Sequence, residues 1–191
     1  MSEPKKAHPS VLDRDRSVLF LIDLQESYRG KLVNEPRVVA SAAKLLDAAG
    51  LLGIPVIVTE QYPKGLGATR DELTSHLPAN ATRRFEKTTF SGLGAPGLHA
   101  HLRALARTQV VVAGIETHVC VSQTVHDLLA NGLQAHIVRD AMSARFALED
   151  ETGFAKMLAS GALPACLEGV LFEWLGDARA PEFKAAHRLV V

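Results

Sequence analysis

The sequence has few cysteines and no long apolar segment. Its 191 residues include only Cys120 and Cys166, which stand far apart and in no metal-binding spacing. A disulfide framework is therefore not expected, and the composition favours a reducing compartment, which predicts a cytoplasmic protein. No apolar run approaches the about 18 residues that a spanning helix requires, so we expect no membrane partner. Residues 1–16 mix both charge signs, and they predict a polar leader rather than a signal peptide.

An excess of charge of one sign is also missing. Lys and Arg together number 21, as do Asp and Glu, so the formal net charge is zero. A neutral chain has no long-range field that recruits a polyanion, and we expect no nucleic-acid partner. The hydrophobic fraction of 47% is that of an ordinary globular protein. With no linker or internal repeat at this length, residues 1–191 predict a single domain.

Short apolar runs alternate with helical patterns. The runs are rich in β-branched and large aliphatic residues, and continuous runs of this kind are typical of strands covered on both faces. Strands are predicted at 18–22, 54–59, 110–115 and 134–139. Helices are predicted at 35–50, 117–132, 150–161, 167–176 and 181–190. The alternation predicts an α/β fold, a three-layer α-β-α sandwich with a mostly parallel central sheet. The stretch 61–97, rich in Gly, Pro and charge, is typical of a long loop that is functional or disordered.

Polar residues follow two of the apolar runs, at the edge where open α/β sheets bind their ligands. Asp23 directly follows 18–22, and Cys120 lies in the first turn of the helix after 110–115. If the two strands are neighbours, both groups meet in one crevice. A helix N-terminus stabilises an anion, so the position predicts a lowered thiol pKa and a nucleophilic sulfur. A small buried hydrophobe is the common alternative for a free cysteine, and position alone does not separate the two.

Five segments carry a family resemblance. LFLIDLQ (19–25), FEKTTFSG (85–92) and AGIETHVCVSQT (113–124) resemble, in this order, the catalytic segments of the isochorismatase-like cysteine hydrolases. IPVIVTEQYPKGLG (54–67) and VLFEWLGDARAPEFK (170–184) are similar to the isochorismatase domain-containing subgroup, many of whose members have no assigned substrate. Three catalytic segments in order, in a βαβ context, are more specific than any one of them.

The resemblance implies a set of catalytic roles. Cys120 is expected to be the nucleophile, Asp23 the general base and acid, and Lys87 the cation beside them. Their chemistry would be that of an amidohydrolase, which cleaves an acyl C–N bond of a small amide-like substrate through a thioester. The family pattern also implies a cis peptide at Ile115–Glu116 and an oxyanion hole from the backbone N–H groups of Glu116 and Cys120. Without the resemblance, a surface lysine and a turn-capping carboxylate remain the ordinary interpretations.

Departures from the family narrow the expected chemistry. Nicotinamidases of this family bind a metal through an Asp and histidines after the second strand, where TEQYPKGLG (59–67) has neither. We therefore expect no metal, no cofactor and a substrate other than nicotinamide. True isochorismatases lack the cysteine, so Cys120 favours C–N cleavage over vinyl-ether hydrolysis. The apolar C-terminal segment and the family habit predict a homo-oligomer. The expected pocket residues, named from position, are Gln25, Tyr62, Phe90, Ile115 and Glu116.

Two other functions stay open on the sequence alone. A catalytically idle family member would act through protein–protein binding, although all three catalytic positions are occupied. A dinucleotide-binding oxidoreductase is suggested by the G-x-G-x-x-G of Gly92, Gly94 and Gly97, but the segment before it is too charged for a buried first strand. A Cys–His pair is disfavoured because His118 and Cys120, two apart on a helix, point in different directions.

Overall fold

The computed structural model of the protein describes residues 8–191, so the first part of the predicted polar leader, residues 1–7, lies outside the described residues. The strands are β1 (Ser17–Ile22), β2 (Val56–Gln61), β3 (Thr82–Lys87), β4 (Gln109–Ile115), β5 (Gln134–Ser143) and β6 (Leu163–Ala165). The helices are α1 (Glu35–Leu52), α2 (Pro63–Leu66), α3 (Asp71–Thr74), α4 (Leu98–Ala104), α5 (Ser122–Ala130), α6 (Ala147–Ala159), α7 (Leu167–Leu175) and α8 (Phe183–His187). No helix in this described part is long and apolar enough to cross a bilayer.

The strands form one six-stranded sheet in the order β3-β2-β1-β4-β5-β6, and every neighbouring pair is parallel. The chain builds one half of the sheet outward from β1 and then returns to build the other half from β4. Strand order therefore reverses between β1 and β4, where Ile22 pairs with Gly114. In doubly wound sheets a crevice opens at this place, outside the carboxyl ends of the strands.

Apolar side chains cover both faces of the sheet. In β1, Leu19 and Leu21 pack with α1 and α7, while Phe20 and Ile22 pack with α4 and α5 on the other side. Burying both faces requires the continuous apolar pattern that predicted the central strands. The prediction of a three-layer α-β-α sandwich is confirmed, and the sheet is parallel throughout.

The two edge strands, β3 and β6, were missed by the sequence prediction. In β3 the side chains of Arg83, Arg84 and Glu86 are exposed, because an edge strand has only one neighbour and a partly uncovered surface. Three elements, β3, α2 and α3, interrupt the stretch 61–97. The prediction that this stretch is a long loop is therefore wrong.

Two glycines allow close backbone contacts near the carboxyl edge. Gly114, with φ 125°, lies so close to β1 that a Cβ there would be 2.0 Å from the Ile22 carbonyl oxygen. Gly153, inside α6, would place a Cβ 2.6 Å from the Cα of His118. These contacts fix β4 against β1, and α6 against the turn that carries Cys120.

Candidate active site

Lys87 and Asp23 form a buried ion pair at the carboxyl edge of the sheet. Lys87 ends β3 and Asp23 directly follows β1, and their side chains are only 0% and 3% exposed. The Nζ of Lys87 lies 2.6 Å from Oδ2 of Asp23. The φ of Asp23 is 51°, in the left-handed region that few non-glycine residues adopt, so the chain turns sharply as it leaves β1.

The ammonium of Lys87 is surrounded by acceptors. Besides Asp23, it donates to Oε1 of Gln61 at 2.6 Å and to the carbonyl oxygens of Phe90 and Thr89 at 3.0 Å and 3.2 Å. An ammonium has three hydrogens, and four acceptors already compete for them. Lys87 therefore holds its place through protein contacts and has no donor left for a ligand.

Gln25 supports this arrangement from behind. Its side-chain amide donates to the carbonyl oxygens of Gln61 and Gly67 at 2.9 Å and 2.6 Å, and it accepts from the Gln61 N–H at 2.8 Å. Gln25 is wholly buried, as is Ile115, whose side chain packs in the core between the sheet and α1. Both side chains are closed off from solvent, and their expected part in the pocket stays a prediction.

Cys120 lies between the charged pair and the end of β4. It belongs to the π-helical turn Thr117–Val121, which runs directly into α5, and it is 7% exposed. Burial, followed by the negative charge of Asp23, raises the pKa of the Cys120 thiol to about 12, while Lys87 acts in the opposite direction. The expectation of a lowered pKa is therefore wrong, because burial and the adjacent carboxylate both disfavour the thiolate. The resting sulfur is a protonated thiol.

The second oxygen of Asp23 has a special position. Oδ1 is buried and has no hydrogen-bond partner among residues 8–191, whereas Oδ2 is bound to Lys87. Because the negative charge of Asp23 also contributes to the raised pKa of Cys120, this carboxylate lies close to the thiol. The arrangement offers an acceptor for one proton beside the sulfur.

The sequence did not identify three residues near the site. They are Gln61, Arg145 and Tyr28. Arg145 donates from Nε and from its backbone N–H to Oε2 of Glu116, at 2.9 Å and 3.0 Å. Burial, followed by the charges of Glu116 and Cys120, raises the pKa of the Tyr28 phenol, while Arg145 acts in the opposite direction. Arg145 follows the carboxyl end of β5, where ligands are expected to bind. It was missed because the strand predicted at 134–139 ends four residues before Ser143, the last residue of β5.

The remaining predicted positions lie at the same edge. Tyr62 follows β2 and Phe90 follows β3, and each is 54% exposed. A cavity of about 310 Å³, lined in part by Tyr62 and Lys64, reaches Lys87. The peptide between Ile115 and Glu116 is cis, as the family resemblance implied.

The glycine motif has a different role from the one a dinucleotide fold requires. Gly92 and Gly94 form a 3-10 turn, and Gly97 precedes α4, so the motif follows the edge strand β3 rather than a central first strand. The dinucleotide-binding interpretation therefore loses its structural support. No group of three His, Cys, Asp or Glu side chains in the described residues could hold a metal ion.

The fold and the site together define the class of protein. A doubly wound parallel sheet carries a carboxylate, an ammonium and a thiol at its switch point, each delivered by a different strand. The Isochorismatase domain model matches residues 17–168, which include all three groups. The chain belongs to the isochorismatase family, and membership of this family supports a hydrolase.

Individual relatives agree with this assignment. Isochorismatase domain-containing protein 2 from Xenopus laevis is 41% identical over 176 residues, which cover 92% of this chain and 83% of that protein. A solved structure described as the MAR1 ribonuclease from Caenorhabditis elegans is 38% identical, has a TM-score of 0.89, and is matched over 94% of this chain and 91% of its own. The YcaC gene product from Escherichia coli, described as an octameric hydrolase of unknown specificity, has a TM-score of 0.87 over 96% of this chain and 91% of its own. At 20% identity it shares the fold.

Proposed function

We propose that the protein is a cysteine hydrolase that cleaves an acyl C–N bond of a small amide-like substrate, with Cys120, Asp23 and Lys87 as its catalytic residues. One observation carries the proposal: a buried carboxylate has one oxygen bound to an ammonium at 2.6 Å and the other unpartnered beside a thiol. An unpaired buried carboxylate oxygen is costly to maintain, and structural carboxylates normally have partners. A general base needs such an oxygen.

The first half of the reaction uses the thiol and Asp23. As Sγ of Cys120 bonds to the substrate carbonyl carbon, its proton passes to Oδ1 of Asp23, and the carbonyl electrons move to oxygen. The backbone N–H groups of Glu116 and Cys120 stabilise this oxyanion. When the carbonyl re-forms, the C–N bond breaks, and Asp23 returns the proton to the leaving nitrogen. The product of this half is a thioester on Cys120 and a free amine or ammonia.

Water completes the cycle. Asp23, ionised again beside Lys87, accepts a proton from water as the water oxygen attacks the thioester carbonyl. Collapse of the second tetrahedral species expels the sulfur, which regains a proton from Asp23, and the acid leaves. Throughout the cycle, Lys87 offsets the negative charge that moves between Asp23 and Cys120. This role accounts for a buried ammonium whose hydrogen bonds all go to protein acceptors.

Large apolar side chains are exposed at the carboxyl edge of the sheet, around the proposed site. Tyr62 and Phe90, exposed at the same edge, provide apolar walls for a small substrate. Phe146 and Leu148, which follow β5, are 60% and 72% exposed. Large exposed apolar side chains beside a site are typical of a protein interface, and they support a homo-oligomer.

The reaction class is tested by ammonia release from a panel of small primary amides and ureides. We expect release by the wild type, a loss of about 10³-fold or more in Cys120→Ala, and wild-type rates in Cys166→Ala, which removes the exposed cysteine. Mass spectrometry of the quenched reaction should find the acyl group on Cys120. Release that persists in Cys120→Ala would contradict the mechanism. RNA is the comparison substrate, because the Caenorhabditis elegans relative is described as a ribonuclease.

A further inference from the structure

The loop after β3 carries two of the carbonyl oxygens that hold the ammonium of Lys87, whereas Cys120 lies on the turn after β4. Two strands, β2 and β1, stand between β3 and β4 in the sheet, so strand pairing does not bring the loop and the turn together. The loop instead bonds to α5, the helix that continues from the turn. A contact between the loop and the turn would set the position of the sulfur relative to the cation.

Thr124 provides this contact. Its hydroxyl donates to the carbonyl oxygen of Cys120 at 2.6 Å and accepts the backbone N–H of Gly92 at 2.8 Å. A hydroxyl can donate one hydrogen bond while it accepts another, so a single oxygen joins the two backbones. The side chain of Thr124 is wholly buried and Gly92 is buried too, so both bonds are shielded from water.

One of these two bonds is common in helices. A threonine hydroxyl often bonds to the carbonyl oxygen four residues earlier, and that bond alone indicates no functional role. The bond from Gly92 is different, because it comes from a loop 32 residues away in the sequence. It also satisfies a buried backbone N–H, which needs a partner. Thr124 therefore ties the loop to the turn as well as completing its own helix.

Gly92 fits this position because it has no side chain. A Cβ there would lie 2.6 Å from Cζ of Phe20, in β1, and 3.3 Å from the hydroxyl oxygen of Thr124. Phe20 is itself wholly buried, in the core between the sheet and α5. The first glycine of the G-x-G-x-x-G pattern therefore allows close packing beside the site.

The same loop holds Lys87. The carbonyl oxygens of Phe90 and Thr89 accept hydrogen bonds from its Nζ at 3.0 Å and 3.2 Å. Phe90 stands only two residues before Gly92, so the acceptors of the cation and the anchor on α5 belong to one short segment. The path from the ammonium to the backbone of the nucleophile therefore runs through residues 89–92 and one hydroxyl.

We propose that Thr124 is a positioning residue of the site, whose hydroxyl sets Cys120 in register with the buried ion pair. The inference rests on the proposed function for the catalytic roles, while the link itself rests on the two hydrogen bonds of Thr124. Without the hydroxyl the catalytic groups would all be present but displaced. A displacement of about 1 Å can lower a rate about 100-fold.

Replacement of Thr124 tests the kinetic part. Valine has nearly the same shape without the hydroxyl, whereas serine keeps the hydroxyl. In amide hydrolysis we expect Thr124→Val to lower kcat about 10- to 100-fold with less than about threefold change in KM, and Thr124→Ser to recover most of the loss. Thr124→Ala repeats the test with a smaller side chain. Thr82→Val is the matched control, because the Thr82 hydroxyl also bonds to the carbonyl four residues earlier, at the far end of β3, and it should leave both constants unchanged.

Alkylation of Cys120 by iodoacetamide tests the placement without turnover. Burial raises the pKa of the Cys120 thiol, the charge of Asp23 raises it further, and Lys87 lowers it. Asp23→Asn should therefore move the pH midpoint of alkylation down, and the size of this shift reports how near the carboxylate lies to the sulfur. We expect a smaller shift when Asp23→Asn is made in Thr124→Val than when it is made in the wild type or in Thr82→Val. A merely structural role of Thr124 would lower stability to urea and leave the shift unchanged.

The outcomes separate this inference from the reaction class. A wild-type kcat in Thr124→Val, a loss confined to KM, or equal midpoint shifts in all three backgrounds overturns the positioning role. Failure of Thr124→Ser to recover the loss also overturns it, because the hydroxyl would then not be the cause. A smaller midpoint shift in Thr124→Val, found together with no ammonia release by the wild type, supports the positioning role while the proposed hydrolysis fails.

Discussion

At the scale of single residues, the site works through opposing effects on one proton. Burial and the Asp23 carboxylate keep the proton on the Cys120 sulfur, and Lys87 pulls in the opposite direction. A thiol with a pKa of about 12 is a poor nucleophile in free solution at pH 7. In the proposed mechanism the thiol needs no free thiolate, because its proton passes to Asp23 as the new bond to carbon forms. The same carboxylate that raises the thiol pKa is therefore the general base of the proposed mechanism.

Replacing Asp23 by Asn should separate thiol acidity from catalysis. The substitution removes a negative charge next to the sulfur and leaves the Lys87 ammonium, so the pKa of Cys120 should fall below its wild-type value. Alkylation of Cys120 by iodoacetamide, followed against pH by peptide mass spectrometry, should shift to lower pH, while amide hydrolysis is lost because no base remains. Cys166 in the same digest is the internal reference, and Asp15→Asn, an exposed carboxylate before β1, is the matched control. An unchanged or higher alkylation midpoint would refute this account of the pKa.

At the scale of helices and strands, sequence reasoning succeeded where an element is buried on both faces. The four central strands were predicted because both of their faces are covered, and Asp23 and Cys120 were found because they follow two of them. The charged edge strand β3 has no such pattern, so Lys87 could be placed only by family resemblance. In β5 the half-buried Arg139 and Asp140 interrupt the apolar run, which hid the true end of the strand and therefore Arg145.

The crossing of α6 over the catalytic turn gives a prediction at this scale. A methyl group added at Gly153 would contact the backbone of His118 at 2.6 Å, so Gly153→Ala should push α6 away from the turn that carries Cys120. We expect a loss of about 1–3 kcal/mol in the free energy of unfolding, typical of overpacking, and reduced hydrolysis. Gly169→Ala in α7 is the matched control, because its new methyl group has only an ordinary contact at 3.5 Å from Sγ of Cys166. Urea unfolding should find that control at least as stable as the wild type. If Gly153→Ala were as stable as the wild type, α6 could move away from the turn at no cost in free energy, and the prediction would be wrong.

At the scale of the whole molecule, the order of strands creates the site. Residues 23, 87, 116 and 120 are distant in sequence, and they meet because β1, β2, β3 and β4 are parallel and end at the same edge. The sequence could predict that edge, but not which polar groups would lie in contact across it. Those contacts depend on side chains that pair over long separations, such as Gln61 with Lys87 and Arg145 with Glu116.

The stability of the whole fold should depend on pH through His136. This residue lies in β5 with Nε2 unpartnered among residues 8–191, and burial lowers its pKa from 6.5 to about 4. Below pH 6.5 the unfolded chain binds a proton that the folded chain does not bind until about pH 4, so stability falls across this window as pH falls. The contribution of one such group changes by at most about 1.4 kcal/mol per pH unit. Urea unfolding at fixed protein concentration should therefore show that His136→Leu loses less stability than wild type between pH 7 and pH 5. The exposed His99→Gln serves as control and should follow the wild type, and parallel losses in His136→Leu and wild type would exclude His136 as the source.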